Sequence, residues 1–111
     1  MPKFSIIIPT YNESQNLPLL LSDLSNISSK DEIIIIDANS KDKTRDIAMI
    51  YGAKIFKSKK KGRGSQLKYG ANKAKGNWFI FIHADSRLTQ DWYKKVKSLI
   101  KGNKDSIFYF L

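Results

Sequence analysis

Four consecutive isoleucines, Ile33 to Ile36, leave a strand no polar face to turn toward water. Such a run fits a parallel sheet covered on both sides better than a half-wet antiparallel one. The theme recurs along the chain. Phe4–Ile8, Glu32–Ile36 and Trp78–Ile82 read as apolar strands, Ala53–Phe56 as a weaker one, and Ser106–Leu111 as a fifth. Helical patterns lie between them. Asn16 stands at a capping position before Leu17, Leu20, Leu21 and Leu24, which share one face, with Pro18 tolerated in the first turn. Asp42 or Thr44 can cap a second helix carrying Ile47, Ile50 and Tyr51, with Gly52 at its end. A third helix is expected over Ser65–Lys75, with the small residues Gly70, Ala71 and Ala74 beside Leu67 on its inner face, so that it can lie close to the sheet. Thr89 caps a fourth, which turns Trp92, Val96, Leu99 and Ile100 inward and stops at Gly102. Strand–helix alternation of this kind predicts an α/β domain over residues 1–111: an open, mostly parallel sheet with helices on both faces and right-handed crossovers.

The bulk numbers narrow the function classes. A length of 111 residues suits one small domain or part of a larger one. There is no cysteine, so disulfides and thiolate metal sites are excluded, which fits a cytoplasmic location. No run reaches the roughly 20 apolar residues of a membrane span. The net charge of +10 favours anionic partners such as nucleotides, nucleic acids or acidic lipid surfaces.

In an open parallel sheet, ligands bind beyond the carboxyl ends of the strands. Each relevant strand here runs into polar or special residues: Pro9-Thr10-Tyr11-Asn12-Glu13 after the first, Asp37-Ala38-Asn39-Ser40 after the second, the basic loop Lys57–Gly64 after the third, and His83-Ala84-Asp85 after the fourth. Each also has an ordinary reading. Asp37 can be a turn aspartate, Tyr11 a surface ring, Glu13 a turn stabiliser, His83 and Asp85 strand and turn caps, and the lysine run a solvated loop. The chemical reading makes Asp37 an acceptor for a ligand N–H or hydroxyl and Tyr11 a stacking face. Gly62, Arg63 and Gly64, at the start of a helix, become an anion cradle. The glycines match neither the dinucleotide fingerprint nor the P-loop, which argues against nicotinamide and P-loop ATP chemistry. One histidine without cysteine is too few ligands for zinc. Mg²⁺ or Mn²⁺ suits better, since one carboxylate plus diphosphate oxygens and water can hold it.

The stretches SIIIPTYNES, IIIIDANSKDKT and KGNWFIFIHADSRL resemble, in order, the motifs of family 2 glycosyltransferases, and GRGSQ with FIHAD is similar to a bacterial subgroup that writes His-Ala-Asp where Asp-x-Asp is usual. The resemblance implies a Rossmann-like nucleotide-diphosphosugar transferase fold, a nucleotide-diphosphate sugar as donor, an unidentified acceptor and a divalent cation. It implies that Pro9 and Tyr11 shape the nucleotide pocket, with Glu13 in the same donor-binding set. Asp37 would bond base or ribose, Arg63 the phosphates, and Asp85 with His83 the metal. The chain departs from the family at Ala38, where a second acid is usual, at Asn39 for glycine, at His83 for the first acid of the metal motif, and at Lys68 for asparagine.

The expected activity is glycosyl transfer, with this chain supplying donor and metal sites; the acceptor half and its base belong to sequence beyond residue 111, so the chain reads as truncated. Peripheral contact with the inner face of a membrane and pairing of two copies through the terminal strand accompany this reading. The rivals are a basic nucleic-acid-binding module, for which no signature is found, and a non-catalytic remnant of the fold.

Overall fold

The structure, a computed structural model, describes residues 3–100 and the backbone of residues 107–110. Nine elements alternate: β1 (Phe4–Thr10), α1 (Leu17–Asp23), β2 (Glu32–Asp37), α2 (Thr44–Ile50), β3 (Lys54–Lys57), α3 (Arg63–Lys73), β4 (Trp78–Ile82), α4 (Trp92–Ile100) and β5 (Ile107–Phe110). The strands form one sheet in the order β3-β2-β1-β4-β5, and every pairing is parallel. The α/β class, the open sheet and the helices on both faces are as the sequence predicts. The stop expected at Gly102 and the strand ends at Ser106 and Leu111 lie outside the described residues.

Alternation along the central strands sorts the core into two layers. Phe4, Ile6 and Ile8 of β1, Ile35 of β2, and Trp78, Ile80 and Ile82 of β4 meet α1, α2 and α4 on one face. Ile7, Ile34, Ile36 and Phe81 meet α3 on the other. Both faces of β1 and β2 are sealed, which is why their isoleucines are continuous. Burial of each such side chain stabilises by about 1.5–3 kcal/mol. On α3 the close approach falls at Gly70: a Cβ there would overlap Ile7 Cγ2 and stand 3.1 Å from Ile36 Cγ1.

The faces also fix the crossover hands. The steps β1–α1–β2 and β2–α2–β3 move toward one edge with their helices on one face, and β3–α3–β4 moves back with its helix on the other, so these three share a hand. The step β4–α4–β5 continues away from β3 while α4 packs beside α1, and so has the opposite hand. This departs from the uniform handedness expected of the chain. Contacts made by α4 keep it there. The Trp92 indole N–H donates to the Asp23 carbonyl (3.1 Å), and the Tyr93 ring meets Phe4 edge-on at 5.6 Å.

Some local expectations fail for identifiable reasons. Asn16 makes no capping bond and instead donates from Nδ2 to Glu13 Oε1 (3.3 Å). The Thr89 hydroxyl donates to Asp91 Oδ1 (2.7 Å). On α2 the buried positions are Thr44 and Ala48, whereas Ile50 is 80% and Tyr51 47% exposed, because the helix ends there and turns through Gly52 at φ 80°. Leu99 of α4 is likewise on the outside, 58% exposed.

Candidate functional site

The β1–β4 ladder ends at Ile7 and Phe81, but β1 runs on to Thr10 beside β2 alone. Pro9 sits in this extension. It has no N–H to give a ladder, so it suits a strand that has parted from one neighbour. The parting of β1 from β4 is the switch point of the sheet, where the connections leave in opposite directions. A cleft of about 290 Å³ opens there, lined by Pro9, Thr10, Tyr11, Glu13, Lys61, Gly62, Arg63, Gln66, His83, Ala84 and Asp85. The structure thus brings Pro9, Tyr11, Glu13, Arg63, His83 and Asp85, from three separate segments, to one opening.

Asp37 stands apart from that lining. It is fully buried beneath the cleft, where Oδ1 accepts hydrogen bonds from the Thr10 hydroxyl (2.7 Å) and the Ser40 hydroxyl (2.5 Å), and Oδ2 accepts one from the Ser40 backbone N–H (2.9 Å). The Arg45 guanidinium lies 3.8 Å from Oδ2, an ion pair beyond hydrogen-bond reach. Asp37 therefore ties the ends of β1 and β2 together.

The loops above it are cross-tied. The Asn12 N–H donates to Ser40 Oγ (2.8 Å), and the Lys41 N–H returns a bond to Asn12 Oδ1 (2.7 Å). The Glu13 N–H donates to Thr44 Oγ1 (2.9 Å) and the Ser14 N–H to Asp42 Oδ2 (3.1 Å). Asn12 and Asn39 adopt φ of 52° and 59°. Asparagine is among the few non-glycine residues found readily in that left-handed region, so Asn39 can hold a conformation that glycine ordinarily takes.

Gln66 is the residue that sequence reasoning missed. It is 4% exposed, and its Nε2 donates to the carbonyls of Thr10 (3.0 Å) and Ile36 (2.8 Å), while its Oε1 accepts from the Gly62 N–H (3.1 Å). It fastens the start of α3 to the carboxyl ends of β1 and β2. The signal was its spacing: it lies four residues before Gly70 and shares its face.

Cations border the opening. Lys61 Nζ lies 3.7 Å from the centre of the Tyr11 ring and covers one face of it. Arg63 opens α3, whose amino end carries partial positive charge. On the opposite wall His83 Nδ1 is buried with no hydrogen-bond partner among the described residues. Burial pushes the His83 imidazole below its ordinary pKa; Arg63 pushes the same way and Asp85 opposes. His83 and Asp85 line the same cleft. No group of three or more His, Asp or Glu side chains gathers among the described residues. Asp85 and His83 alone are too few ligands for a hard cation, which they fit only if a bound molecule brings further oxygens. The turn bearing Asp85 is held from α1, where Asp23 accepts from Arg87 Nε (2.8 Å), Arg87 Nη2 (3.1 Å) and the Leu88 N–H (3.0 Å).

A parallel sheet wound in both directions, with a cation-rimmed cleft at its switch point, defines an α/β domain of the Rossmann-like class. Within that class the chain belongs to glycosyl transferase family 2, whose sequence pattern matches residues 5–110. An uncharacterized glycosyltransferase of Rickettsia typhi is 38% identical over 97% of the chain, which covers 36% of that relative's length. TarS of Staphylococcus aureus, solved in complex with UDP, superposes with a TM-score of 0.81 at 25% identity, over 90% of this chain and 32% of that one. A Pyrobaculum calidifontis mannosyltransferase, solved with GDP-mannose and Mn²⁺, has the same fold, with a TM-score of 0.74 at 20% identity over 81% of this chain and 30% of that one. The chain thus spans about a third of the length of these proteins.

Proposed function

We propose that this chain is the donor-binding part of a glycosyltransferase and takes a nucleotide-diphosphate sugar into the cleft between β1, β4 and the start of α3. One observation carries the reading: Tyr11, Glu13, Lys61, Arg63, His83 and Asp85 line a single opening at the switch point. The nucleotides bound by TarS and by the Pyrobaculum mannosyltransferase support the class of donor.

Pro9 and Tyr11 shape the nucleoside end, with Lys61 swinging off the ring to admit the base. Glu13 borders the sugar of the nucleoside. Asp37 acts from beneath, holding the Thr10 and Ser40 hydroxyls as the floor; a direct bond to base or ribose requires Ser40 to release it. Arg63 and Lys61 face the diphosphate. Asp85 and His83 Nδ1 would hold a Mg²⁺ or Mn²⁺ ion together with diphosphate oxygens. The ion would supply Lewis-acid neutralisation of the charge that gathers on the departing diphosphate. Glycosyl transfer passes through an oxocarbenium-like state while that charge develops, and the cations of Arg63 and of Lys61, once off the ring, would stabilise it electrostatically. The base for the acceptor hydroxyl would come from outside this set, since this reading assigns the acids that line the cleft, Glu13 and Asp85, to the donor.

Calorimetric titration with UDP and GDP tests the reading. Saturable binding, tighter with Mn²⁺, is expected, and Asp85→Asn should abolish the Mn²⁺ dependence while leaving the fold intact. Absence of saturable binding at millimolar nucleotide, with or without Mn²⁺, would overturn it.

A further inference from the structure

The charge of the chain is unevenly placed. From Ile47 to Ala84 stand nine basic residues and no acidic one, while the rest of the chain has eleven basic and ten acidic residues. Nearly the whole net charge of +10 therefore comes from β3, the loop after it, α3 and the turn into β4. These elements adjoin. β3 is an edge strand, and α3 is the helix that covers the second face of the sheet.

Lys54 is spoken for, paired with Glu32 at 2.7 Å. Lys57, Lys59, Lys60, Lys61, Arg63, Lys68, Lys73 and Lys75 are exposed, and none has a carboxylate within ion-pair distance among the described residues. They run from the rim of the cleft, at Lys61 and Arg63, along α3 to its far end. Eleven helical residues span about 16 Å, so the positive surface crosses much of the face.

Two kinds of anionic surface suit such a stripe, and the side chains favour one. Apart from Arg63 the cations are lysines, point charges without the planar fork used to read bases. The aromatic rings nearby are not presented for stacking. Phe56 and Tyr69 meet edge to face with centroids 6.4 Å apart, and Lys73 Nζ caps both, at 5.3 and 5.5 Å. Lysines spread over the exposed side of β3, its loop and α3, with the nearby rings capped by Lys73, match the diffuse field of a lipid headgroup layer, where each is worth about 1 kcal/mol near the surface.

We propose that the β3–α3 face is a docking surface for an anionic membrane leaflet. It places the cleft rim beside the lipid headgroups, and it stands independently of the donor reading because the test residues lie outside the cleft. The experiment is co-sedimentation of the full chain with vesicles of equal parts phosphatidylglycerol and phosphatidylcholine, and with phosphatidylcholine alone. Binding to the first and not the second is expected, and it should weaken as salt rises. The double variant Lys68→Glu/Lys73→Glu should lower the partition coefficient at least tenfold. Lys94→Glu/Lys97→Glu, with the same change in net charge but on α4, should lower it far less. Circular dichroism and thermal melting verify that each variant is folded. Equal losses from both variants would mean non-specific polycation binding and overturn the proposal. So would a tighter association with duplex RNA than with vesicles at the same salt, which would assign the face to nucleic acid.

Discussion

At the amino edge of the sheet Glu32 is nearly buried and accepts hydrogen bonds from the Ser5 hydroxyl (2.5 Å), the Lys54 ammonium (2.7 Å) and the Lys75 backbone N–H (2.6 Å). Burial alone would push its carboxyl up, but bonds from Lys54, Ser5 and Lys75 outweigh that and hold it at about 2, against an ordinary 4.5. A carboxylate held below its unfolded value stabilises the fold above that value, and the contribution disappears as pH falls toward the folded one. Here it is fully present above about pH 5 and lost on the way to pH 2, with a size of about 3 kcal/mol. Glu32→Gln should therefore lose roughly that much stability at neutral pH, and the difference from the parent chain should close as pH approaches 2. Urea denaturation at a series of pH values checks this; a constant difference down to pH 2 would show that the charge is not what matters. At this scale the sequence was only partly readable. Tyr11, Arg63, His83 and Asp85 announce themselves by chemistry and position, and the structure brings them to one cleft. Gln66 and Glu32 do not, because their importance lies in partners 22 to 56 positions away that only the folded sheet brings near.

Helix α3 shows how one element serves both packing and site. Its inner face has Gly70 against Ile7 and Ile36 and, one turn earlier, Gln66 bonded to the β1 and β2 carbonyls. Replacing an interior helical glycine by alanine ordinarily gains about 1 kcal/mol. In this position the new methyl overlaps Ile7 in a sealed layer, and overpacking costs about 1–3 kcal/mol, so the helix must lift. Gly70→Ala should thus lower the melting temperature, and because lifting strains the Gln66 bonds that seat Arg63, UDP affinity should fall with it. Asn72→Ala, on the exposed side of the same helix, should leave affinity unchanged and stability equal or slightly higher. Thermal unfolding and calorimetry on both variants decide it. Existence and type of the elements followed from periodicity because the apolar runs are long and the glycines well placed. Helix faces and caps were less legible: Ile50 and Tyr51 fall on a helix that ends too soon to bury them, and Asn16 and Thr89 spend their side chains on Glu13 and Asp91.

Over the whole molecule, the sheet separates two polar ends with different tasks. The amino edge is tied together by hydrogen bonds: besides Glu32, the Gly76 N–H donates to Ser5 Oγ (2.8 Å) and the Asn77 N–H to the Lys3 carbonyl (2.8 Å). The carboxyl edge is open, with polar groups turned into a cleft. Fold class was readable from sequence because the alternation of strands and helices spans the chain, and the location of the cleft followed from that topology. A substitution at each end should separate stability from binding. A Cβ on Gly76 would stand 2.6 Å from the Lys3 carbonyl oxygen and 2.8 Å from the Ser5 nitrogen. Both are backbone atoms of β1 and its approach and cannot swing aside, so Gly76→Ala should cost about 2–4 kcal/mol. It acts at the opposite edge of the sheet from the cleft, so the molecules that remain folded should bind UDP with unchanged affinity. Arg63→Ala should do the reverse. Its side chain is exposed and makes no ion pair among the described residues, so the melting temperature should hold while UDP affinity drops about tenfold, the loss of one charge-assisted contact to phosphate. Melting curves paired with UDP titrations on the two variants read both quantities. If Gly76→Ala weakened binding as much as Arg63→Ala, the two edges would be coupled through β1, and the division of the sheet into a structural end and a binding end would fail.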